Sequence, residues 1–299
     1  MSTTDDGPAD FTRNHVELSA GPVSFREAGS GEPLVFVHGY GVNGTLWDRV
    51  ISRLAGSYRC ILPDLPFGSH PTAMKPDADL SPVGAAAIVG EFITALGLED
   101  ATVIANDSGG AISQIFLTEQ PAGADRVARL VLTNCDAFED FPPGIFKLLV
   151  KTLRTPGGAD MVAGSLRSRS VQRSKLGYGS LSKDTIPDEL LDSWVGPFVG
   201  DKAVRRDARK CGAGMDPKYT LAAAAKLPSL EIPVLLAWGE RDSLFTIESA
   251  ERLQRAIPDA TLVRFHEALT FVSLDEPERL AEEISKFCAE RPVAATPVS

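Results

Sequence analysis

The chain has few cysteines and no long hydrophobic run. These two shortages argue against a disulfide-rich or zinc-binding scaffold and against a membrane-spanning protein. Its four cysteines, Cys60, Cys135, Cys211 and Cys288, are widely spaced over 299 residues, so neither a zinc knot nor a disulfide framework is expected. We interpret them as reduced, mostly buried thiols of a cytoplasmic protein. No window approaches the ~20 apolar residues that cross a bilayer. The start, MSTTDDGPAD, lacks the basic and apolar stretches of a secretion signal.

Positive charge is also scarce. The sequence contains 30 lysines and arginines and 40 aspartates and glutamates, which gives a net charge of -10. A strongly acidic protein repels phosphate backbones, so nucleic acid is not an expected partner. No side-chain cluster has the spacing of a metal site, and no cofactor is implied. We expect a small-molecule substrate and no membrane partner, and the oligomeric state stays open.

Short apolar runs alternate along the chain with amphipathic helical patterns. Six runs are nearly continuous, as is typical of parallel strands covered on both faces: 33–39, 58–64, 101–107, 128–134, 232–240 and 260–266. The helical patterns between them are 45–55, 81–97, 109–120, 246–257 and 276–290. This alternation predicts an α/β fold with a mostly parallel, doubly wound sheet. Two alternating runs at 15–19 and 23–29 predict an antiparallel hairpin at its edge.

The alternation stops between residues 138 and 228, a segment rich in Gly, Pro, Arg and Ser. Helical patterns near 187–199 and 202–211 indicate a helical cap inserted over the carboxyl edge of the sheet, where open α/β sheets bind ligands. The predicted division is a core of 1–137 and 229–299 and a cap of 138–228. The cap segments FPPGIFKLLVKTL and WVGPFVG predict a lining for a small apolar molecule, and we interpret the cap arginines as solvated.

The most specific motif is VIANDSGG at 103–110, an apolar strand that runs into a Gly-Gly helix start. Small residues two before and two after a turn residue are typical of a sharp strand-to-helix turn that presents one side chain above the sheet. Ala105 and Gly109 are those small residues, so the presented side chain is Asp107 and not Ser108. The following helix start favours a negative group there. The alternative is that Asp107 only caps its helix.

Three more motifs accompany this turn in a fixed order: HGYG at 38–41, DLPFGS at 64–69 and WGERD at 238–242. Together they resemble the α/β-hydrolase superfamily over nearly the whole chain. An Asp at the turn is similar to the branch that holds haloalkane dehalogenases, fluoroacetate dehalogenases and epoxide hydrolases. The resemblance implies an α/β-hydrolase fold in which the carboxylate attacks carbon and forms an ester, which a His-activated water then cleaves.

Carried onto this chain, the resemblance implies a role for five residues. Asp107 is the nucleophile, and Asp242 orients the catalytic histidine. The backbone N–H groups of Tyr40 and Ser108 form an oxyanion hole, which in acyl chemistry is worth roughly 3–4 kcal/mol per donor. His38 has a structural role in the loop that carries Tyr40.

The chain departs from this branch at its leaving-group contacts. Ser108 and Tyr40 stand where the dehalogenases place a halide-binding Trp and Asn, so the halide cradle is missing. Epoxide hydrolases use two cap tyrosines to protonate the substrate oxygen. The cap contains Tyr178 and Tyr219, for which surface or core roles are the alternative.

A further departure removes the expected base. Aligning Phe271 and the following Asp-x-Pro places Thr270 where the catalytic histidine belongs, and Thr does not accept a proton at pH 7. His266 comes four residues too early, and His15 belongs to the edge hairpin. His70, in the loop after the fourth strand, is the only plausible replacement base, and the favoured interpretation is that no histidine serves as the base.

Without such a base, Asp107 would serve better as a general acid or base, a contribution of ~10²–10⁴-fold. Asp136 follows the fourth core strand and could pair with Asp107 and raise its pKa, unless it lies in a solvated loop. Three functions stay open. The chain is a hydrolase that acts on a small, largely apolar molecule through an Asp107 ester, a non-hydrolytic enzyme for isomerisation, elimination or cyclisation, or an inactive ligand-binding protein.

Overall fold

Eight strands form one sheet in the computed structural model, which describes residues 9–292. Residues 1–8 and 293–299 of the expected core lie outside the described residues. The strands are β1 (Thr12–Leu18), β2 (Gly21–Ala28), β3 (Glu32–Val37), β4 (Tyr58–Pro63), β5 (Ala101–Asp107), β6 (Val127–Cys135), β7 (Val234–Gly239) and β8 (Ala260–Phe265). Their order in the sheet is β1-β2-β4-β3-β5-β6-β7-β8. Only the pairs of β2 with β1 and β4 are antiparallel among these strands, which confirms the predicted edge hairpin and the mostly parallel sheet.

Some helices begin where the sequence carries start signals. Ser81 accepts a hydrogen bond from the Gly84 N–H and precedes Pro82 in the first turn of its helix, a common pair of start signals. The helices are α1 (Asp48–Leu54), α2 (Pro82–Ala95), α3 (Ser108–Glu119), α4 (Lys147–Leu153), α5 (Gly158–Ser165), α6 (Arg169–Gln172), α7 (Asp188–Gly200), α8 (Lys202–Gly214), α9 (Pro217–Lys226), α10 (Ile247–Ala256), α11 (Val272–Asp275) and α12 (Pro277–Glu290). In the described part of the chain, no helix has both the length and the apolar character to span a bilayer.

Helices cover both faces of the sheet and create two apolar layers. On one face α2 packs against α3, and on the other α1 packs against α12. The central strands β5, β6 and β7 are therefore almost completely buried, which explains their continuous apolar sequence. Each buried Leu, Ile or Phe side chain stabilises the fold by roughly 1.5–3 kcal/mol.

The segment between β6 and β7 contributes helices α4 to α9. Helices α4 and α5 pack against α8, which in turn packs against α7. Helix α9 packs instead against α3, and its Ala223 joins the apolar cluster that contains Ile112 and Ile115 of α3. The division into a core of 1–137 and 229–299 and a cap of 138–228 stays a prediction.

The parallel pairing of β5 and β6 fixes where polar groups meet at the edge of the sheet. Its register sets Asp107 opposite Cys135, so Asp136 is the first residue beyond the strand pair. Because the carboxyl ends of parallel strands share one edge, both carboxyl groups emerge on the side that the cap helices cover.

Candidate active site

Asp107 occupies a strained turn between β5 and α3. Its φ of 54° and ψ of -135° are uncommon for any residue other than glycine, and such a conformation costs of order 1–3 kcal/mol. In the described part of the chain, the Asp107 side chain makes no hydrogen bond that caps α3, and the backbone N–H that acts on its carboxylate belongs to Ser108, the first residue of the helix. The carboxylate therefore does not cap its own helix, and the turn presents it to the space beneath α4 to α8.

The loop after β3 packs against this turn. A Cβ atom placed on Gly39 would lie 2.5 Å from Asp107 Oδ2, so only glycine leaves room for the carboxylate. His38 holds the loop, since its Nε2 accepts a hydrogen bond from the Leu65 N–H at 2.9 Å while Nδ1 donates to the Gly39 carbonyl at 2.8 Å. Burial lowers the pKa of His38 to about 4, so the ring is neutral. This geometry fits a structural role.

The two expected oxyanion donors have different surroundings. The Tyr40 N–H donates to Ser108 Oγ at 2.7 Å, so a serine hydroxyl already occupies this donor. The Ser108 N–H acts on the Asp107 carboxylate, where it lowers the pKa. The Tyr40 hydroxyl donates to the Ala208 carbonyl of α8 at 2.9 Å and ties the loop to the cap helices. Both backbone donors are thus engaged, and the Ser108 N–H is directed at the oxygen of Asp107 that would carry the negative charge when an Asp107 ester is attacked.

A cavity of about 400 Å³ lies above Asp107. Its floor is polar and carries Tyr40, Asp107, Ser108 and Asp136, whereas its walls are largely apolar. Both predicted lining segments contribute to these walls: Phe146, Leu149, Leu153, Trp194, Val195 and Phe198. No lysine or arginine of residues 9–292 lines the cavity. The cavity is therefore suited to a neutral, largely apolar molecule.

Asp136 brings a second carboxyl group into the cavity. It is 1% exposed, and its Oδ1 has no hydrogen-bond partner in the described part of the chain. Burial, the charge of Asp107 and the charge of Asp140 raise the pKa of Asp136 well above its usual range. Burial also raises the pKa of Asp107 to about 7, opposed by the Ser108 N–H and assisted by the charge of Asp242. Near neutral pH the pair therefore favours carrying one proton, which resides on Asp136.

Asp242 follows β7 and is buried among hydrogen-bond donors. Its Oδ2 accepts from Thr270 Oγ1 at 2.8 Å and from Asn134 Nδ2 at 2.9 Å, and its Oδ1 accepts from the Leu244 N–H. Burial raises the pKa of Asp242 to about 6, and these donors oppose the shift. The fully buried Thr270 hydroxyl is thus one of the donors that hold the Asp242 carboxylate.

Sequence reasoning missed two buried asparagines that hold this region together. Asn134 Nδ2 also donates to the Gly239 carbonyl, and its Oδ1 accepts from the Gly239 N–H at 2.6 Å. Asn106 Nδ2 donates to the carbonyls of Asn134 and Thr270. The sequence does carry a signal for these residues, because each is a polar side chain near the end of an otherwise apolar strand.

The histidines do not supply a base to Asp107. All four lie within residues 9–292, and none of them hydrogen-bonds to Asp107 or lines the cavity. The candidate His70 is wrong as a replacement base, because its ring is buried with Nε2 3.4 Å from Asp207 Oδ2 of α8. His266 is 71% exposed beside Glu240, and His15 belongs to the exposed strand β1.

The two cap tyrosines do not form a pair. Tyr178 lines the cavity, but its hydroxyl already donates to the Gly41 carbonyl at 2.6 Å. Tyr219 lies on α9 against the core, with the Lys218 ammonium 4.8 Å from its ring centre, and it is not among the described residues that line the cavity. Of the two candidate tyrosines, only Tyr178 therefore lies at the cavity, and its hydroxyl proton is already used in a hydrogen bond to a backbone carbonyl. Within the described ranges, no cluster of three or more His, Cys, Asp or Glu side chains is placed to hold a metal ion.

Replacing Thr270 with valine tests the hydrogen bond to Asp242. The shape is conserved, but Asp242 Oδ2 loses one of its two donors, so we expect the free energy of unfolding to fall by about 1–3 kcal/mol. Urea denaturation measures the change. Thr118→Val is the matched control, because the Thr118 hydroxyl bonds only to carbonyls of its own helix. An equal effect of both variants would contradict a specific contribution of Thr270.

The buried carboxyl groups predict an unusual dependence of stability on pH. Since the folded-state pKa values of Asp107, Asp136 and Asp242 are raised, the folded protein retains protons that the unfolded chain releases near pH 4. Stability should fall as pH rises from about 5 to 8, by at least about 2 kcal/mol in urea denaturation. Constant or rising stability over this interval would contradict the raised pKa values.

Known proteins are similar to this chain in architecture and in sequence. A family described as the alpha/beta hydrolase fold matches residues 32–277. Haloalkane dehalogenase 2 of Mycobacterium tuberculosis is 28% identical over 294 residues, which cover 92% of this chain and 94% of the relative. An uncharacterised protein of the same organism is 26% identical over 274 residues, 88% of this chain and 77% of the relative. The crystal structure of haloalkane dehalogenase DbeA from Bradyrhizobium elkani has a TM-score of 0.77 at 20% identity and covers 94% of this chain and 98% of its own. These relationships show the fold and support a hydrolase.

Proposed function

The chain belongs to the alpha/beta hydrolase fold family, and from this premise we propose that it hydrolyses a small, largely apolar molecule through an ester on Asp107. In this proposal Asp136 supplies the acid and base chemistry that histidine supplies in the resembling enzymes. The observation that carries it is the Asp136 carboxyl group, which is buried in the same cavity as Asp107 and has an oxygen without a partner among the described residues.

The first step uses the single proton of the carboxyl pair. Asp107 reacts as the carboxylate and attacks a substrate carbon, while Asp136 starts as the neutral acid because its pKa is raised by burial and by its charged neighbour. The new carbon–oxygen bond forms as the bond to the leaving oxygen breaks, and that oxygen takes the proton of Asp136. Two carboxyl groups with separated pKa values divide nucleophile and acid roles in the same way in other hydrolases.

The second step reverses the role of Asp136. Esterification removes the negative charge of Asp107, and Asp136 is left as a carboxylate that accepts a proton from water. The water oxygen attacks the ester carbon, the Ser108 N–H stabilises the oxyanion, and the alcohol leaves with the proton from Asp136. The pair again holds one proton, so atoms and charge balance over the cycle.

The surroundings favour an oxygen leaving group, as in an epoxide, over a halide. Ser108 replaces the indole donor, and the Tyr40 N–H is already bound to the Ser108 hydroxyl. Tyr178 and Tyr40 donate their hydroxyl protons to backbone carbonyls. The Asp136 proton is therefore the acid in the cavity that no described acceptor engages.

Turnover in oxygen-18 water tests the ester route. The wild type is incubated with small epoxides, such as styrene oxide and an aliphatic epoxide, and the peptide that contains Asp107 is analysed by mass spectrometry. We expect the label in the Asp107 carboxylate, because water attacks the ester carbon and not the substrate. Protein incubated in labelled water without substrate is the control. Turnover that leaves Asp107 unlabelled contradicts the proposal.

A second candidate uses the same pair for proton transfer without hydrolysis, in isomerisation, elimination or cyclisation. It is favoured by the observation that no histidine of residues 9–292 hydrogen-bonds to Asp107. The two candidates differ in the product. Hydrolysis adds the elements of water, whereas proton transfer gives an isomer or a product that has lost a small molecule.

A further inference from the structure

The mouth of the cavity is surrounded by exposed apolar side chains. Leu148 of α4 and Leu176 line the cavity and are nevertheless 68% and 66% exposed, and Ile145 is exposed beside them. Met161 lies on α5, which packs against α4, and is 63% exposed. Large apolar side chains that are exposed together at a cavity mouth are typical of a surface that is covered during function.

Basic side chains accompany these apolar residues. Residues 144–180 contain seven lysines and arginines and one acid, a balance of +6 in a chain whose net charge is -10. Lys147 and Lys151 share the exposed face of α4 with Leu148, and Lys175 precedes Leu176. The acid of the segment, Asp160, pairs with Arg205. In the described part of the chain, Lys147, Lys151, Arg167 and Lys175 form no ion pair.

We propose that this mouth face docks on an anionic lipid surface. The mouth face comprises Ile145, Leu148, Met161 and Leu176 with Lys147, Lys151, Arg167 and Lys175. Its apolar side chains suit the acyl layer and its cations suit anionic headgroups. The remaining surface is acidic and is repelled by the same headgroups, so charge alone orients the cavity mouth toward the lipid.

The lipid surface explains the apolar side chains better than an acidic polypeptide does. Cations alone suffice to bind an acidic chain, whereas Ile145, Leu148 and Leu176, exposed at one opening, favour a hydrocarbon partner. An apolar substrate then enters the cavity from the lipid without crossing water. This inference concerns docking and does not depend on the chemistry of Asp107. It departs from the expectation of no membrane partner, which rested on the lack of a run long enough to span a bilayer.

The test measures partition of the full chain onto lipid vesicles by co-sedimentation, with no substrate present. Vesicles of phosphatidylcholine alone are compared with vesicles of equal parts phosphatidylcholine and phosphatidylglycerol. We expect strong partition onto the anionic vesicles, weak partition onto the neutral ones, and loss of partition at high salt.

Paired variants identify the surface. Lys147→Glu with Lys151→Glu should lower partition more than tenfold, because each basic residue near an anionic surface contributes about fivefold. Leu148→Ser with Leu176→Ser should lower it by a similar factor. All four positions are exposed, so the melting temperature should change little.

Matched controls come from other exposed surfaces. Lys202→Glu with Lys286→Glu reverses two lysines outside the mouth face, and Val83→Ser with Leu221→Ser removes two exposed apolar residues elsewhere. Partition of both control pairs should stay within twofold of the wild type.

Two results overturn the proposal. The first is no preference for anionic vesicles, or equal losses in the mouth-face and control pairs. The second is retention on polyglutamate beads without retention on vesicles, which assigns the face to an acidic polypeptide. No turnover is measured in this experiment. A negative vesicle result therefore does not bear on the proposed Asp107 ester, and a negative labelling result does not bear on the proposed docking surface.

Discussion

Replacing Asp107 with asparagine is expected to abolish turnover while it stabilises the fold. Removing a covalent nucleophile lowers kcat by on the order of 10⁴–10⁶-fold. The amide has the same shape as the carboxylate but carries no charge. Because burial raises the pKa of Asp107 to about 7, its ionised form opposes folding at pH 8. Asparagine removes this penalty, which is at most about 4 kcal/mol.

Asp184→Asn is the matched control for Asp107→Asn, because Asp184 is an exposed aspartate outside the cavity. Steady-state rates and thermal unfolding at pH 8 are measured for both variants. Turnover within tenfold of the wild type in Asp107→Asn would contradict a reacting carboxylate. A ligand that raises the melting temperature of a wild type that never turns over would instead favour the binding-protein alternative.

Replacing Asp136 with asparagine is expected to trap the ester. The variant keeps the nucleophile but loses the group that takes a proton from water, so ester hydrolysis should slow by ~10²–10⁴-fold. A reactive substrate, whose leaving group needs little protonation, still alkylates Asp107. Intact-protein mass spectrometry should therefore show a stable adduct, located at Asp107 by peptide analysis.

Asp140→Asn provides the control for the Asp136 variant, since Asp140 is a nearby but exposed carboxylate. It should turn over at close to the wild-type rate and form no adduct. Normal turnover by Asp136→Asn would show that another group activates water. A slow Asp136→Asn variant without any adduct would favour proton transfer over ester chemistry.

The sheet and the turn could be predicted because their signals are local. Strands β5 and β6 are covered on both faces, so their sequences are continuously apolar and their ends are easily seen. The small residues Ala105 and Gly109 mark the turn because backbones approach closely there. Asp136 was expected to pair with Asp107 because it follows the fourth core strand, and the structure brings the two residues to one edge of the sheet because β5 and β6 are neighbours.

The rest of the site depends on contacts between distant segments. Tyr178 and Tyr219 are the same residue type in one irregular stretch, and only the packing of α9 against α3 separates them. His70 precedes the cap in the chain, and its burial against Asp207 requires the position of α8. Asn134 and Gly239 are joined across 105 positions, so no local pattern announces their hydrogen bonds.

Carbon-13 NMR titration of the aspartate carboxyl groups, with Asp107→Asn and Asp136→Asn used for assignment, tests the shared proton of the pair most directly. The account predicts that Asp107 titrates near pH 7, that Asp136 titrates far above its usual range, and that removing the charge of Asp107 lowers the pKa of Asp136. Full ionisation of both groups below pH 5 would contradict it, since neither carboxyl would then carry a proton to the leaving group.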